Sequence, residues 1–356
     1  MLLIDVRRIL VPKKYFLRFR DKEIKKHELN YLFWECTLRC NLNCLHCGSD
    51  CKIDSYVPDM PIADFLNAFK TIPNVSKNFI VVLTGGEPLM RNDIEQFGYE
   101  IRKLGAQWSL VSNGILYSPE RHNSLINAGL GALTISLDGL ENTHNWLRNS
   151  GNTFNRVKDA IALAASESRL NFDVVTCVNP SNIHQLGDIK NLLIELGVKA
   201  WRLFTIAEIG RAANNPELIL DKQAYKYLLE FIKSSRKNNK INVQYSCEAY
   251  TGKYEKYIRD SYFFCRAGVN IGSILANGSI SACPNNSKYL IQGNIYQDNF
   301  YEVWQNKYQL FRDRQWTKQG ECAECKEFKS CMGSGMHLHQ GEDLKLITCH
   351  KLIIDQ

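Results

Sequence analysis

Between residues 29 and about 210, short β-rich apolar runs alternate with longer stretches whose apolar positions recur at helical spacing. That alternation predicts repeated strand and helix units around a parallel sheet. The runs at 29–35, 78–83, 107–111, 132–137, 171–178 and 200–206 are the strand candidates. Helices are expected near 60–72, 92–104, 119–128, 153–168, 184–196 and 221–237. Most strand candidates end in a small or polar cluster: Thr84-Gly85-Gly86-Glu87-Pro88, Ser112-Asn113-Gly114, Asp138-Gly139 and Asn179-Pro180. Ligands of parallel sheets bind beyond the C-terminal ends of the strands, so these clusters are expected to meet at one site. After about residue 240 the alternation stops, and turn signals such as Asn277-Gly278 and Cys283-Pro284 appear. A second, smaller domain is expected there, packed on the first because no Gly/Pro-rich linker separates them.

Composition narrows this picture. The chain has 356 residues, 45% hydrophobic and 23% charged, which suits an ordinary globular protein with one large and one small domain. No apolar run approaches the roughly 20 residues of a membrane span, and the N-terminus lacks the features of a secretory signal. A cytoplasmic location without membrane association is the expectation. The net charge of +7 is modest, yet Arg7, Arg8, Lys13, Lys14, Arg18, Arg20, Lys22, Lys25 and Lys26 crowd the first thirty residues. With no nucleic-acid motif beside them, they read as a solvated basic arm or a face for an acidic peptide rather than a nucleic-acid site.

Thirteen cysteines change the picture most. Most cluster: Cys36, Cys40, Cys44, Cys47 and Cys51 near the start, then Cys322, Cys325, Cys331 and Cys349 near the end. Clustered cysteines in an intracellular chain of this size point to metal or redox chemistry. Cys40-x3-Cys44-x2-Cys47 follows the first strand candidate and places three thiolates where one loop can hold three corners of a 4Fe-4S cluster. The fourth iron is left open for an exchangeable ligand. Zinc is the competing reading, but zinc sites generally need a fourth ligand. The last four cysteines, by spacing alone, are compatible with iron or zinc.

These residues resemble the radical S-adenosylmethionine (radical SAM) enzymes. The resemblance implies an α/β fold: a partial (β/α)6 radical SAM barrel followed by a small cysteine-rich SPASM-like domain. It divides the chain into a basic N-terminal arm (1–28), the barrel (29–239), a linker (240–264) and an auxiliary Fe-S domain (265–356). It implies that Cys40, Cys44 and Cys47 hold a 4Fe-4S cluster whose open iron is chelated by S-adenosylmethionine. Gly85-Gly86-Glu87-Pro88 resembles the second-strand motif, in which glycines permit close backbone approach and an acceptor meets the ligand ammonium. Ser112 and Asn113, and Ser136 and Asp138, resemble the third- and fourth-strand motifs near the ribose and the carboxylate. Ile206, ahead of Gly210-Arg211-Ala212, resembles the sixth-strand segment at the adenine, with Arg211 there or simply a surface charge. His46 stands where a ring would lie beside adenine, or packs on the barrel rim. His144 and Arg148 resemble a stretch near the substrate.

At the C-terminal end the resemblance assigns Cys322, Cys325, Cys331 and Cys349 to a complete outer auxiliary cluster. An inner cluster would draw on Cys265, Cys283 and Cys247, but Gly335 stands where the family has a further cysteine. The inner site is left open to water or substrate, completed by His337 or His339, or lost. If lost, Cys265 and Cys283 are buried structural thiols. One or two auxiliary clusters are thus expected. The implied reaction is reductive cleavage of S-adenosylmethionine to a 5'-deoxyadenosyl radical, followed by net oxidation of a peptide or small protein, most simply as a side-chain crosslink. A reductant such as flavodoxin or ferredoxin is required, and a separate leader-binding protein is compatible with the short N-terminal arm. Oxidation of a Cys or Ser in a sulfatase, or work on a tetrapyrrole or other small molecule, is the alternative. A non-catalytic Fe-S or zinc redox protein is a third reading, opposed by the order of the strand-end motifs.

Overall fold

The computed structural model describes residues 12–237, 240–246 and 249–355. Seven parallel strands follow one another in sequence order: β1 (Tyr31–Thr37), β2 (Ile80–Gly85), β3 (Gln107–Ser112), β4 (Leu130–Ser136), β5 (Asn171–Val178), β6 (Ala200–Thr205) and β7 (Asn242–Tyr245). Three more extend the sheet beyond β1: β8 (Ile271–Ile274) runs parallel to it, and β9 (Ser279–Ser281) and β10 (Gly293–Asn294) follow antiparallel. Because neighbours in space are neighbours in sequence from β1 to β7, right-handed crossovers put every connecting helix on the same face. The sheet therefore has one helix-covered face and one mouth, where all the strand-end loops gather.

Up to residue 237 the helices are α1 (Lys13–Lys26), α2 (Ile62–Phe69), α3 (Ile94–Lys103), α4 (Pro119–Asn127), α5 (Glu141–Arg148), α6 (Phe154–Ser166), α7 (Leu186–Glu195) and α8 (Lys222–Ser235), and shorter ones follow in the C-terminal region. All six expected helices lie within their expected spans, and α7 begins after a short 3-10 turn. The expected arm contains α1, and the expected linker contains β7. Both escape a reading based on hydrophobic period: α1 is polar on most sides, and β7 has only four residues.

Aromatic side chains fill the layer between helices and sheet. Trp34 of β1 stacks on Phe65 of α2 with centroids 4.5 Å apart, and Phe97 of α3 lies edge-on to Trp108 of β3. All four are at most 1% exposed, and each Phe buried in this way contributes about 1.5–3 kcal/mol. The C-terminal region joins the same core through Trp304 and Tyr308. Glu35 of β1 reinforces the seam: its buried carboxylate accepts the Ala276 N–H at 3.0 Å. Burial pushes its pKa up. No helix among the described residues is long and apolar enough to cross a membrane.

Candidate functional site

The loop that leaves β1 is fixed at its root by the end of β2. Gly86 N–H donates to Thr37 O at 2.8 Å, and Glu87 N–H donates to Arg39 O at 2.9 Å. A Cβ on Gly85, whose φ is +136°, would lie 2.0 Å from Thr37 O, and one on Gly86 would lie 2.1 Å from Arg39 O. The two glycines are thus required where one backbone rests on the other. Cys40 N–H closes the neck of the loop on Lys52 O at 2.7 Å.

Arg211 holds the far side of the loop. Its N–H donates to Cys47 O at 3.0 Å, and its guanidinium donates to Cys44 O at 2.8 Å, Cys51 O at 2.9 Å and Asp50 Oδ1 at 2.8 Å. Gly210 makes room, since a Cβ there would meet Gly48 O at 2.3 Å. A residue that could equally have been a surface charge is a brace for the cysteine loop.

The thiols are free, as are all the described cysteines, and Cys40, Cys44 and Cys51 bury together with Leu42 while Cys47 packs against them. Two side chains reach the sulfurs: Arg148 Nη1 lies 3.6 Å from Cys44 Sγ, and Asn113 Nδ2 lies 4.0 Å from Cys40 Sγ. Burial pushes the Cys40 thiol up to about 12 and raises Cys44, whereas a hydrogen bond from Cys51 lowers Cys47. Protonated thiols are not ligands, but an iron centre deprotonates the thiols that bind it. Three gathered free thiols with N–H donors turned toward two of the sulfurs fit an iron-sulfur cluster and its outer hydrogen bonds. Cys36 instead lies in β1 with no exposure, inside the hydrophobic core.

The strand-end residues surround this loop. Glu87 is fully buried and accepts Leu89 N–H at 3.0 Å, Ser112 Oγ–H at 2.9 Å and Asn113 N–H at 2.7 Å, so its carboxylate ties the end of β2 to the end of β3. Burial pushes its pKa up against those donors. Asn113 continues to Asn41 Oδ1 at 2.8 Å, inside the cysteine loop. Ser136 is half-buried at the end of β4. Asp138, also fully buried, pairs with Arg148 at 2.5 Å and accepts Cys177 N–H at 2.8 Å. Burial alone would raise its pKa, but Arg148 and the two neighbouring imidazoles bring it below the usual carboxylate range. His46 Nε2 stands 3.9 Å from Asp138 Oδ2, and Ile206 packs with Leu147, Ala212 and Leu218.

Three buried nitrogen atoms here, His46 Nδ1, His144 Nε2 and Arg148 Nε, have no hydrogen-bond partner among the described residues. Buried orphans call for a polar ligand or water. Their position beside the cysteine loop fits the amino-acid and nucleoside groups of S-adenosylmethionine. Neither Arg148's approach to a sulfur nor Cys51's bond to Cys47 was expected from the sequence. The sequence marks Arg148 only as part of a stretch near the substrate, and Cys51 only as a member of the first cysteine group.

His144 accepts Asp138 N–H through Nδ1 at 3.0 Å, so this nitrogen must be unprotonated. Burial, with Arg148 nearby, pushes the imidazole down to about 4. The unfolded chain, titrating near 6.5, binds the proton first, so stability present above pH 6.5 is lost as the pH falls toward 4. The unfolding free energy from urea titration is expected to fall by up to about 2 kcal/mol between pH 7 and 4.5. That drop should shrink in His144→Gln; an unchanged pH dependence in the variant would remove His144 as its source.

At the other end of the chain, Cys322, Cys325, Cys331 and Cys349 stand within electrostatic reach of one another. Burial pushes Cys322 up to about 11 and raises Cys331 and Cys349, with neighbouring thiols adding to each shift. Ser334 N–H donates to Cys331 Sγ at 3.1 Å from a turn in which Met332, Gly333 and Ser334 all have positive φ. The next turn brings Met336 N–H to Cys265 Sγ at 3.5 Å, so Gly335 sits beside Cys265. Cys283 packs half-buried on the core, and Cys247 lies outside the described residues. His339 is committed elsewhere, its ring nitrogens facing Gly333 O at 2.7 Å and Leu344 O at 3.0 Å. His337 lines a small cavity with Thr205, Ile206 and His350, of about 30 Å³, room for a water or two.

Comparison with known proteins bears on these features. The model of the radical SAM superfamily matches residues 34–193, and that of SPASM, an iron-sulfur cluster-binding domain, matches residues 265–326. The AdoMet-dependent heme synthase of Nitratidesulfovibrio vulgaris is 26% identical over 321 residues, 84% of this chain and 85% of that protein. Mycofactocin maturase MftC of Mycolicibacterium smegmatis is 27% identical over 318 residues, 86% of this chain and 77% of that protein. Among solved structures, Streptococcus suis SuiB bound to S-adenosylmethionine superposes with a TM-score of 0.68 at 17% identity, covering 92% of this chain and 81% of that one. The enzyme anSMEcpe, with AdoMet and a peptide bound, gives 0.68 at 19% identity, covering 90% and 92%. At such identities the structural likeness shows a shared fold.

Proposed function

This chain is a radical SAM enzyme with a C-terminal SPASM domain, and from that premise we propose that it oxidises an unactivated carbon of a peptide substrate, joining two side chains in a ribosomally made precursor. The observation that carries the reading is the presence on one chain of a cysteine trio in the loop at the mouth of the sheet and a cysteine tetrad gathered in the turns that follow the sheet. Bound at the trio, a 4Fe-4S cluster with S-adenosylmethionine supplies one-electron reductive cleavage and hydrogen-atom abstraction.

The chain's own residues hold and shield that chemistry. Cys40, Cys44 and Cys47 are the ligands, and Arg211 with Gly85 and Gly86 fixes the loop that carries them. Arg148 and Asn113 present N–H groups to sulfur, lowering the cost of its negative charge. The Asp138–Arg148 pair keeps a guanidinium buried and oriented beside Cys44, while neutral His46 faces the same network. Glu87 uses both carboxylate oxygens to hold the ends of β2 and β3, so its part is to shape the seat. Cys322, Cys325, Cys331 and Cys349 form the second ligand set, suited to a net oxidation.

Relatives named mycofactocin maturase and PqqA peptide cyclase support the peptide reading. Relatives named AdoMet-dependent heme synthase and Fe-coproporphyrin III synthase support a second one, oxidation of an iron tetrapyrrole. The test is anaerobically reconstituted protein given S-adenosylmethionine and dithionite, with either a panel of candidate precursor peptides, including any small peptide found encoded beside its gene, or iron coproporphyrin. The peptide reading expects 5'-deoxyadenosine together with a peptide lighter by two hydrogen atoms. A modified porphyrin with the peptide untouched would replace it by the second reading. Absence of 5'-deoxyadenosine under every condition would end both.

A further inference from the structure

The basic segment near the N-terminus is folded onto the outer cysteine tetrad. Lys13 Nζ meets Glu327 Oε2 at 3.1 Å, two residues beyond Cys325, and Tyr250 Oη donates to the same carboxylate at 2.6 Å. Arg20, 4% exposed, donates from Nη1 to Lys329 O at 2.9 Å, just before Cys331. α1 is thus strapped directly across the 322–331 loop. Its outer side shows Lys14, Tyr15, Arg18 and Phe19 to solvent.

Next to α1, and joined to it by the Phe16–Tyr262 ring contact at 5.5 Å, lies a surface cleft between α8 and residues 250–257. Lys13, Lys233, Lys253 and Lys256 line it, interleaved with Tyr250, Tyr254, Tyr257 and Tyr262. Lys256 lies 4.8 Å from the centroid of Tyr257, and Lys253 lies 5.8 Å from that of Tyr254. Glu327 and Glu230 neutralise Lys13 and Lys233. Buried Glu255 is answered by Arg259. Lys14, Arg18, Lys253, Lys256, Lys326 and Lys329 have no carboxylate partner among the described residues, and these six cations outnumber the two exposed carboxylates of the cysteine loop, Glu321 and Glu324, which leaves a net positive face.

We infer that this lysine, arginine and tyrosine face is the dock for a small acidic one-electron carrier protein of the flavodoxin or ferredoxin kind. The inference rests on the proposed net oxidation, which leaves one electron to be exported after the substrate has lost its hydrogen atom and a proton. A carrier arriving in its oxidised form takes up that electron and leaves reduced by one. Two observations place the exchange here. Cys325, Cys331 and Cys349 are only half-buried, so the tetrad lies close to the surface. The cationic face also surrounds the loop that bears two of them. Interleaved cations of one sign speed encounter with an acidic partner, and transient redox encounters need less than about 1,200 Å² of buried surface.

The experiment compares reconstituted wild-type protein with Lys14→Glu/Arg18→Glu/Lys253→Glu/Lys256→Glu, with oxidised flavodoxin as the probe and the dissociation constant read by fluorescence titration. A control, Lys70→Glu/Lys77→Glu/Lys103→Glu/Lys199→Glu, makes the same charge change at exposed positions near the N-terminal ends of the strands. The face variant is expected to bind at least about ten-fold more weakly and to lose the salt dependence of binding, whereas the control keeps most of both. Iron content, circular dichroism and dithionite-driven 5'-deoxyadenosine formation should be unchanged in both. Equal flavodoxin binding by face variant and wild type, or equal weakening in the control, would overturn the dock. So would a face variant that binds flavodoxin normally but loses an Asp- and Glu-rich precursor peptide, since the surface would then belong to the substrate. Failure of 5'-deoxyadenosine formation in the wild type itself would count against the proposed function instead.

Discussion

Replacing Cys40, Cys44 and Cys47 together by Ala is expected to abolish 5'-deoxyadenosine formation and to remove one cluster's worth of iron and sulfide, while the remaining iron stays on the C-terminal tetrad. The expectation follows from the separation of the two ligand sets. The trio belongs to a loop after β1 that is held by Gly86, Leu147 and Arg211, whereas the tetrad is gathered by turns between residues 320 and 350. No hydrogen bond or ion pair described above joins one set to the other. The converse variant, with Ala at Cys322, Cys325, Cys331 and Cys349, is expected to keep S-adenosylmethionine cleavage and lose the oxidised product. Iron and sulfide analysis beside product chromatography reads both. Loss of all iron from the first variant would show that the two sets assemble as a unit and would weaken the division of labour.

Gly86→Ala carries the second large effect. Its Cβ would have to lie 2.1 Å from Arg39 O, and the listening partner is backbone that cannot swing aside as a side chain can. Relief requires β2 and the root of the cysteine loop to part, breaking the Gly86 N–H to Thr37 O and Glu87 N–H to Arg39 O bonds. A cost of about 3 kcal/mol is expected, large against a total stability of about 5–15 kcal/mol but short of unfolding the protein. The functional loss should exceed the structural one, because Cys40 follows Arg39 directly. Gly48→Ala in the same loop is the control: nothing lies within 4 Å of its added carbon, and near wild-type melting and iron content are expected. Equal behaviour of the two variants, by thermal melting and iron retention, would remove the close backbone approach as the reason for the Gly-Gly pair.

The same residues show how far the sequence could be read. β5 occupies the span its alternation predicts, and most other strands and helices shift by two residues or less. Hydrophobic period is a local property, and a parallel sheet with helices on one face preserves it. The cysteine spacing was legible for a similar reason: three cysteines within eight residues share one loop. The roles of the other site residues are less local. Glu87 could be picked out beside Gly85 and Gly86, but its three donors come from residues 89, 112 and 113. Arg211 could not be told from a surface charge, because its acceptors lie some 160 residues earlier.

By itself, then, the sequence determined the repeated strand and helix units, the three-cysteine loop, the group of four late cysteines and the absence of a cysteine at position 335, all written in short-range pattern. Tertiary structure alone decided that Arg148 would face Cys44, that Gly335 would sit beside Cys265, that β8 would pair with β1 into one continuous sheet, and that a basic helix would lie across the outer cysteine loop. The physical reason is chain closure. Each of these contacts joins residues far apart in sequence, and which partners meet is set by the packing of the whole sheet and its helices rather than by the preferences of either partner.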